Sequence, residues 1–372
     1  MPITIDGTNG ITQADQFNSD STFGFKNRII NGAMVIDQRN AGASVTPTAS
    51  AYTLDRWKAV LDVTSKFSVQ QNAGAVTPPT GFKNYLGVTS LSAYTVGTNE
   101  SFYLQQPIEG FNTSDLDFGT ANAKTVTLSF WVRSSLTGTF GGSIWNSAVN
   151  RLYPFTYTIS AANTWEYETI TITGDITGTW IGATNGVGLF LNILLGAGSG
   201  VSGTANAWGT GTSYFPTGAT SVVGTNGATF YITGVQLEVG STATSFDYRP
   251  YGTELQLCQR YYYKAVTGTL FNQLAFCNVR TTTSHYAFLQ MPVTLRANPS
   301  SVDYSTIGII AAWGAAVTGL NSLTLADAAY GAGQTQVLLD AVTSSGVGTV
   351  GQVSMLLGNN FATGYVALNA EL

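Results

Sequence analysis

Charged residues are scarce in this sequence. Lys, Arg, Asp and Glu make up 9% of the 372 residues, whereas soluble proteins carry about 25%. The formal net charge is −5, with 15 basic residues and no basic run, so the chain lacks the electrostatic surface that binds nucleic acid or an anionic membrane. We therefore expect no nucleic acid partner.

Histidine and cysteine are nearly absent. The chain has one histidine, His285, and two cysteines, Cys258 and Cys277, so one copy cannot supply the four ligands of a Cys/His zinc site. The dissimilar flanks of the two cysteines favour free buried thiols over a disulfide, which stays open as the alternative. His285 lies in an alternating strand pattern without an evident orienting partner, which favours an edge or interface position over a catalytic base.

Long apolar segments and a leader sequence are missing as well. The longest apolar run, residues 307–317, is about half the roughly 20 residues that span a bilayer, so we expect no membrane insertion. Residues 1–7 lack the basic stretch and apolar core of a secretory signal. Residues 346–351 match the glycine spacing of a dinucleotide site, but no strand–turn–helix pattern surrounds them, so we expect no cofactor.

Threonine and glycine supply much of the polarity that charge usually supplies. The chain has 52 Thr and 42 Gly, a composition that suits strands and tight turns. Short runs rich in Val, Thr, Phe and Tyr recur from residue 28 onward, separated by Gly, Asn, Ser and Pro. In residues 125–132, apolar Val126, Leu128 and Phe130 alternate with Thr127 and Ser129. These patterns predict an all-β protein.

Changes in pattern divide the chain into four predicted parts. In chain order they are an extended N-terminal arm (1–27), a jelly-roll β-sandwich (28–250), a short helical connector (251–265) and a smaller C-terminal β domain (266–372). The arm has too few apolar residues to bury a core of its own. Its isoleucines Ile3, Ile5 and Ile11 are the residues we expect to dock on another surface.

Three sets of carboxylates could carry acid–base or metal chemistry. Glu166 and Glu168 lie two apart in a strand pattern and favour a solvated surface over a glycan-cleaving pair. Asp115 and Asp117 favour turn chemistry, although their oxygens could also bind calcium, so a metal site stays undecided. The remaining pair, Glu100 and Glu109, has no informative spacing.

Aromatic residues are the more informative group, since they make up 12% of a weakly charged chain. An exposed ring can pack on the apolar face of a sugar while amides and hydroxyls bind the sugar hydroxyls. Trp131 and Trp165 lie in strand patterns, where packing is the simpler use. Core or interface packing is the alternative for each remaining ring. The glycan-binding candidates in or near loops are Trp145, Tyr153, Trp180, Trp208 and Tyr214.

Two stretches of the chain carry specific motifs. One contains Ile30-Asn31-Gly32-Ala33-Met34, Asp37-Gln38-Arg39-Asn40 and Tyr52-Thr53-Leu54-Asp55-Arg56-Trp57, and the other contains Gly234-Val235-Gln236-Leu237-Glu238-Val239-Gly240 and Phe246-Asp247-Tyr248-Arg249-Pro250. Together they resemble the segments that open and close a carbohydrate-binding-module-like jelly-roll in bacteriophage tail fibres and related virion proteins. Residues 254–263 resemble the helical exit of that family, so the resemblance covers about residues 28–264. Most of residues 300–372 matches nothing familiar.

The resemblance implies a function for the chain. It implies a non-enzymatic structural protein of the virion, a homotrimeric tail fibre or adhesin that attaches to other virion proteins through its arm and binds host surface polysaccharide. A capsid decoration protein or head fibre is the first alternative, and a polysaccharide depolymerase is the second. In each case we expect synthesis in the host cytoplasm without a signal peptide, and a final location on the phage tail or capsid surface. The family motifs transfer no ligand-binding residue to this chain.

Overall fold

The computed structural model describes residues 5–6, 10–11, 25–312, 315–326, 334–359 and 363–372. Its contacts divide the chain into two compact units, Met1–Tyr251 and Gly252–Leu372. Within the predicted arm, β1 (Ile5–Asp6) pairs with β2 (Gly10–Ile11), and Ile5 lies opposite Ile11. Ile3 lies outside the described residues. Docking by these isoleucines stays a prediction.

The first unit is a jelly-roll β-sandwich, which confirms the predicted fold class. One sheet has six strands in the order β10-β9-β12-β7-β4-β3, and the other has five in the order β11-β8-β15-β6-β5. A short parallel pair, β13-β14, is separate. The strands are β3 (Ala51–Leu54), β4 (Trp57–Leu61), β5 (Phe67–Gln71), β6 (Leu86–Ser90), β7 (Ser101–Glu109), β8 (Val126–Ser134), β9 (Gly138–Trp145), β10 (Leu152–Ile159), β11 (Glu166–Ile172), β12 (Val187–Ala197), β13 (Ser202–Gly203), β14 (Phe215–Pro216) and β15 (Thr229–Val239).

The core lies between the two sheets because their strands alternate in the predicted way. In β8, Val126, Leu128 and Phe130 are fully buried in the core. Side chains on a strand point alternately to the two faces, so Ser129 and Trp131 lie on the outer face of the five-stranded sheet. Because side chains alternate with a period of two residues, the apolar residues of each strand all point to the same face, and that face is buried.

The opening motif is held together by the side chain of Asn31. Its amide nitrogen donates to the carbonyl oxygens of Ile36, at 2.8 Å, and Asp55, at 3.0 Å, and its Oδ1 accepts the N–H of Ile36 at 3.0 Å. The indole of Trp57 donates to the carbonyl oxygen of Asn31 at 3.1 Å. Asn31 therefore satisfies backbone groups that would otherwise be buried without partners.

The closing motif bonds directly to the opening one. Asn27 donates through Nδ2 to the Val235 carbonyl at 3.0 Å, and its Oδ1 accepts the N–H groups of Ile29 and Leu237 at 2.9 and 3.0 Å. Arg249 donates to the carbonyl oxygens of Asn27 and Ile29. Asn27, which the sequence pattern assigned to the arm, is thus a buried part of the sandwich.

The second unit contains a three-stranded sheet, β16-β24-β19, and a closed barrel, β17-β18-β22-β21-β20-β23. Its β content agrees with the predicted C-terminal β domain. In the part of the chain that the structure describes, no helix is long and apolar enough to cross a membrane. The elements are α1 (Tyr251–Gln259), β16 (Tyr262–Val266), β17 (Gln273–Val279), β18 (Ser284–Gln290), β19 (Ser301–Ser305), β20 (Ile307–Ile310), β21 (Thr318–Leu325), β22 (Gln336–Thr343), β23 (Val353–Gly358) and β24 (Tyr365–Asn369).

The predicted helical connector is only partly correct. The helix ends at Gln259, and Tyr262–Val266 is a strand that pairs along its length with β24. Three consecutive tyrosines, Tyr261 to Tyr263, favour a strand, and pairing with β24 satisfies their backbone groups. The prediction of helix up to residue 265 was therefore wrong.

The barrel interior holds His285, contrary to its predicted place at an edge or interface. The side chain is fully buried, and its Nδ1 lies 3.0 Å from the Ser354 hydroxyl. Burial lowers the pKa of His285 and favours the neutral ring. Burial also raises the pKa of Cys277 to about 12. Cys258 and Cys277 are both buried thiols and form no disulfide, which confirms the prediction made from their flanks.

Candidate functional site

Two of the predicted glycan-binding rings, Trp145 and Tyr214, belong to a hydrophobic cluster on the outer face of the six-stranded sheet. Trp145 is only 5% exposed, and its ring centre lies 5.6 Å from that of Tyr103 and 5.5 Å from that of Phe215. Its indole donates to the Tyr214 carbonyl at 3.3 Å. An exposed sugar platform at Trp145 is therefore ruled out by packing.

The cluster covers a row of polar side chains on the same face. Gln105 on β7 donates to Asn192 on β12 at 2.9 Å, and Asn192 donates to the Ser143 carbonyl on β9 at 3.3 Å. Asn192 is fully buried although it lies outside the sandwich core. The cover comes from Phe215 and Pro216 in the loop of residues 198–221, which closes this part of the sheet.

The other three predicted rings pack in a second aromatic cluster. Tyr153 is 7% exposed, and the Trp208 ring lies 5.1 Å from it and 5.5 Å from the Trp180 ring. Trp208 donates to the Thr173 carbonyl at 2.6 Å, and Trp180 donates to Asp175 at 3.2 Å. These hydrogen bonds hold the two indole rings edge to face against each other. Tyr153 offers no exposed face, and a ligand role for Trp180, Trp208 and Tyr214 stays a prediction.

The carboxylates singled out in the sequence are engaged in local structure. Glu166 accepts the backbone N–H groups of Ser160 and Ala161, which lowers its pKa. Burial, together with the neighbouring Glu166 charge, raises the pKa of Glu168. Asp115 accepts a 2.6 Å hydrogen bond from Arg28.

The described part of the chain contains no cluster of metal-ligating side chains. Among the described residues, no group of three or more His, Cys, Asp or Glu side chains converges in a metal-binding arrangement. The Asp115 carboxylate already faces a cation, the Arg28 guanidinium.

An open groove of about 410 Å³ lies on the outer face of the five-stranded sheet, within the roughly 300–1,000 Å³ of small-molecule sites. We call it the aromatic groove. Five of its lining residues are aromatic, and none is charged. It is lined by Phe82, Ser129, Trp131, Tyr167, Gly234, Ala243, Thr244, Ser245, Phe246 and Tyr248.

The floor of the aromatic groove is a pair of rings from neighbouring strands. Trp131 on β8 and Tyr167 on β11 are direct register partners, and their ring centres lie 5.3 Å apart at an interplanar angle of 47°. Such cross-strand pairs orient each other because their Cβ atoms lie close together. Tyr167 is 44% exposed and Trp131 is half-buried, so both rings are open to a ligand.

The wall of the groove comes from the closing motif. Phe82, Phe246 and Tyr248 pack mutually with ring centres 4.9 to 5.5 Å apart. Gly234, at a bulge in β15 with φ +62°, allows Phe82 to approach, since a Cβ there would lie 2.6 Å from the Phe82 ring. Tyr248 is 57% exposed and leaves its ring edge in the groove.

Trp131 differs from the other tryptophans in its indole N–H. Among the residues described, this N–H has no protein acceptor, and the ring is half-exposed. Indole N–H groups are usually hydrogen-bonded when they are buried, so the Trp131 donor is available to a ligand. The remaining tryptophans in the described ranges all donate to protein oxygens: Trp57, Trp145, Trp165, Trp180 and Trp208.

One carboxylate next to the groove has its charge compensated by partners within the chain. Glu238 is buried, accepts hydrogen bonds from the N–H and hydroxyl of Thr244 at 2.8 and 2.6 Å, and lies 3.9 Å from the Lys26 ammonium. Burial raises the pKa of Tyr248, so its hydroxyl stays neutral near pH 7. The groove therefore presents aromatic faces, hydroxyls and an indole donor, a set suited to an uncharged polar ligand.

The sequence pattern did not single out the groove residues. Trp131 lies in a strand pattern, where packing is the simpler use, and Phe246 and Tyr248 belong to the closing motif. One signal was present: Trp131 falls on the face opposite Leu128 and Phe130, which points away from the core. Whether a loop covers that face depends on tertiary structure.

No family model matches the chain, and no curated protein matches its sequence. Solved structures similar to it are distant. The enzymatically active domain of tailspike protein 4 of bacteriophage CBA120 is 11% identical and matches 58% of this chain with a TM-score of 0.32, and the match spans only 22% of the tailspike chain.

Two further similar structures are matched over almost their whole length. A putative sugar binding protein from Bacteroides thetaiotaomicron is 12% identical, with 57% of this chain and 100% of that chain covered and a TM-score of 0.34. A family 11 carbohydrate-binding module from Clostridium thermocellum is 13% identical, with 54% and 98% covered and a TM-score of 0.28. At these values the likeness extends no further than a β fold.

Proposed function

We propose that this chain is a non-enzymatic glycan-binding protein that holds uncharged sugar residues in the aromatic groove. The observation that carries the proposal is Trp131, which combines a half-exposed ring, a neighbouring exposed ring at Tyr167 and an indole donor without a protein acceptor. A pyranose ring packs its C–H face on such a surface and accepts a hydrogen bond through a hydroxyl.

The lack of charged side chains in the groove lining determines which class of glycan is proposed as the ligand. The groove lining has no basic side chain that could pair with a carboxylate or sulfate, and the chain as a whole is negative. An acidic glycan would lose hydration without gaining an ion pair, which is unfavourable. Neutral hexose-containing polysaccharide is therefore the proposed ligand.

Binding without turnover is the proposed mechanism. Glu166 is occupied by backbone N–H groups, Asp115 by Arg28 and Asp175 by Arg151, and these contacts leave the carboxylates in structural roles. For Asp175, burial alone would raise the pKa, but the hydrogen bonds from Arg151 and Thr177 outweigh it and lower the pKa.

We also propose that the chain is part of a phage particle. The reason is that the motifs that open and close the sandwich resemble those of phage tail fibres. In this context several copies on one particle would bind a polysaccharide together, and their weak individual contacts would add through effective concentration. Detection of the chain by mass spectrometry in purified particles, and its loss from particles when residues 1–24 are deleted, would support the placement on a tail or capsid. This deletion retains Asn27, which bonds to Val235 inside the sandwich.

The groove is tested by the substitution Trp131→Ala. We expect the affinity of the full chain for neutral oligosaccharides, measured by calorimetry after a glycan-array screen, to fall at least about tenfold, which corresponds to about 1.4 kcal/mol. The reason is the loss of both the stacking face and the free indole donor. Since Trp131 lies outside the core, the melting temperature should change little.

Phe111→Ala is the matched control, because Phe111 is an exposed aromatic residue of the same unit that does not line the groove. It should leave the affinity unchanged. The proposal fails if the wild-type chain binds no glycan, if Trp131→Ala binds as tightly as the wild type, or if Phe111→Ala weakens binding as much as Trp131→Ala does.

A further inference from the structure

Ser129 is a nearly buried residue of the aromatic groove whose hydroxyl has no partner in the protein. The residue is only 2% exposed, and the part that remains open lines the groove beside Trp131. Among the residues that the structure describes, none forms a hydrogen bond with this hydroxyl. Since most buried polar side chains have at least one hydrogen-bond partner, the lack of one at Ser129 points to a partner from outside the chain.

The polar residue paired with Ser129 on the neighbouring strand is engaged elsewhere. Gln236 on β15 is its register partner, and the side chain of Gln236 is fully buried. The amide nitrogen of Gln236 donates to Glu238 at 2.8 Å, and its Oε1 accepts the N–H of Asp247 at 2.8 Å. These bonds tie Gln236 to the segment that follows β15, so it does not satisfy the Ser129 hydroxyl.

The other serine and threonine hydroxyls around the groove are satisfied by the protein or by water. On the same strand and face, Thr127 donates to the Gly240 carbonyl at 2.8 Å. Thr244, which lines the groove, donates its hydroxyl to a buried carboxylate at 2.6 Å. Ser245 also lines the groove, but it is exposed, so water can bind its hydroxyl. Among the described serines and threonines of the groove, only Ser129 is both nearly buried and without a partner.

Ser129 and Trp131 are spaced to contact the same sugar unit. They lie two residues apart on β8, so their side chains point to the same face and their Cα atoms are about 6.6 Å apart. A pyranose ring with its exocyclic hydroxyls spans a comparable distance. A serine hydroxyl can both donate and accept a hydrogen bond, as a sugar hydroxyl can. A sugar that stacks on Trp131 can therefore bring one of its edge hydroxyls to Ser129.

We infer that Ser129 is a specificity-determining residue of the aromatic groove, and that it binds one free hydroxyl of the hexose that stacks on Trp131. This inference rests on the proposed glycan-binding function and narrows its ligand class. A sugar without that hydroxyl loses the hydrogen bond. A sugar that is O-methylated there does not fit, because the nearly complete burial of Ser129 leaves no room for an added methyl group. The ligand is accordingly a hexose unit that is unsubstituted at this position.

Titration of the full chain with the methyl glycosides of glucose, galactose and mannose tests the inference. Binding is followed through the NMR signal of the Trp131 indole N–H, and the glycoside that binds best is compared with its monodeoxy analogues. For the wild-type chain, loss of one particular hydroxyl should weaken binding about three- to tenfold, the usual contribution of one hydrogen bond. Ser129→Ala should weaken binding of the parent glycoside by the same factor and should not weaken binding of that analogue further.

Thr127→Val is the matched control, since Thr127 lies on the same strand and face but does not line the groove, and its hydroxyl donates to a backbone carbonyl. This substitution should lower the melting temperature and leave the affinity unchanged. Ser129→Ala should do the opposite, because it breaks no hydrogen bond within the protein. A purely structural role for Ser129 would not produce that combination.

The outcomes separate this inference from the proposed function. Unchanged affinity of Ser129→Ala for the parent glycoside, while Trp131→Ala still weakens binding, would overturn the inference and leave the proposed function standing. An equal loss of affinity for the parent and for every deoxy analogue in Ser129→Ala would also overturn the inference, because no single sugar hydroxyl would then be recognised. A wild-type chain that binds neither these glycosides nor any longer glycan would overturn both.

Discussion

Replacing Gly32 with alanine is expected to lower the free energy of unfolding of the first unit by roughly 3 kcal/mol or more. A Cβ at this position would lie 2.2 Å from the carbonyl oxygen of Val235. That oxygen accepts the hydrogen bond from Asn27, and the N–H of Val235 donates to the Gly32 carbonyl at 2.9 Å. Since the backbone fixes the position of the Cβ and the Val235 oxygen is itself a backbone atom, no rotamer change relieves the overlap.

Thermal or denaturant unfolding of the variant measures this loss. For a unit of about 250 residues, a loss of about 3 kcal/mol lowers the melting temperature by roughly 6–12 °C. Gly182→Ala is the control, because a Cβ at Gly182 meets no atom within 4 Å. Equal stability of the two variants would show that the opening and closing motifs are not tightly joined in solution.

Replacing Phe215 with alanine is expected to cost about 3–5 kcal/mol in the stability of the loop of residues 198–221. The ring is fully buried between Tyr103 and Trp145 on the outer face of the six-stranded sheet. Its removal leaves a cavity above the polar row of Gln105 and Asn192. The loop would then open more often, while the core between the two sheets keeps its packing.

Hydrogen exchange measures this local opening. A loss of about 3–5 kcal/mol speeds exchange of the slow amides in residues 198–221 by roughly a hundred- to several-thousand-fold, at about 1.4 kcal/mol per factor of ten. Phe111→Ala, at an exposed ring, should leave these rates unchanged. If Phe215→Ala also leaves them unchanged, the loop is not held by its aromatic contacts.

Strand periodicity was sufficient to predict much of the fold. The alternation over residues 125–132 predicted β8, and its apolar residues Val126, Leu128 and Phe130 are those that the structure buries. The helical connector was predicted to reach residue 265, whereas the helix ends at Gln259. Pairing with a distant strand, β24, decides the conformation there, and no local pattern contains that information.

The candidate site was harder to predict because exposure depends on what covers each sheet. Loop rings such as Trp145 and Trp208 were expected to face solvent. Trp145 is instead buried against Phe215 of the uncharged loop of residues 198–221, and Trp208 of the same loop packs edge to face on Tyr153 and Trp180. Strand position suggested packing for Trp131, but no loop covers its face. Alternation identifies which side chains point outward, whereas only tertiary contacts show which outward face remains open.

The bonds between the opening and closing motifs also determine when the sandwich can form during synthesis of the chain. Asn27 is 208 residues away from its acceptor at Val235, and Arg249 is further along the chain. At about 5–20 residues per second, a ribosome takes roughly 10–40 s to make the intervening segment. During that time the first buried residues of the sandwich have no partner strand, so the nascent chain must stay soluble without its final fold. The low charge of the sequence leaves threonine and glycine to keep it hydrated until the last strand is made.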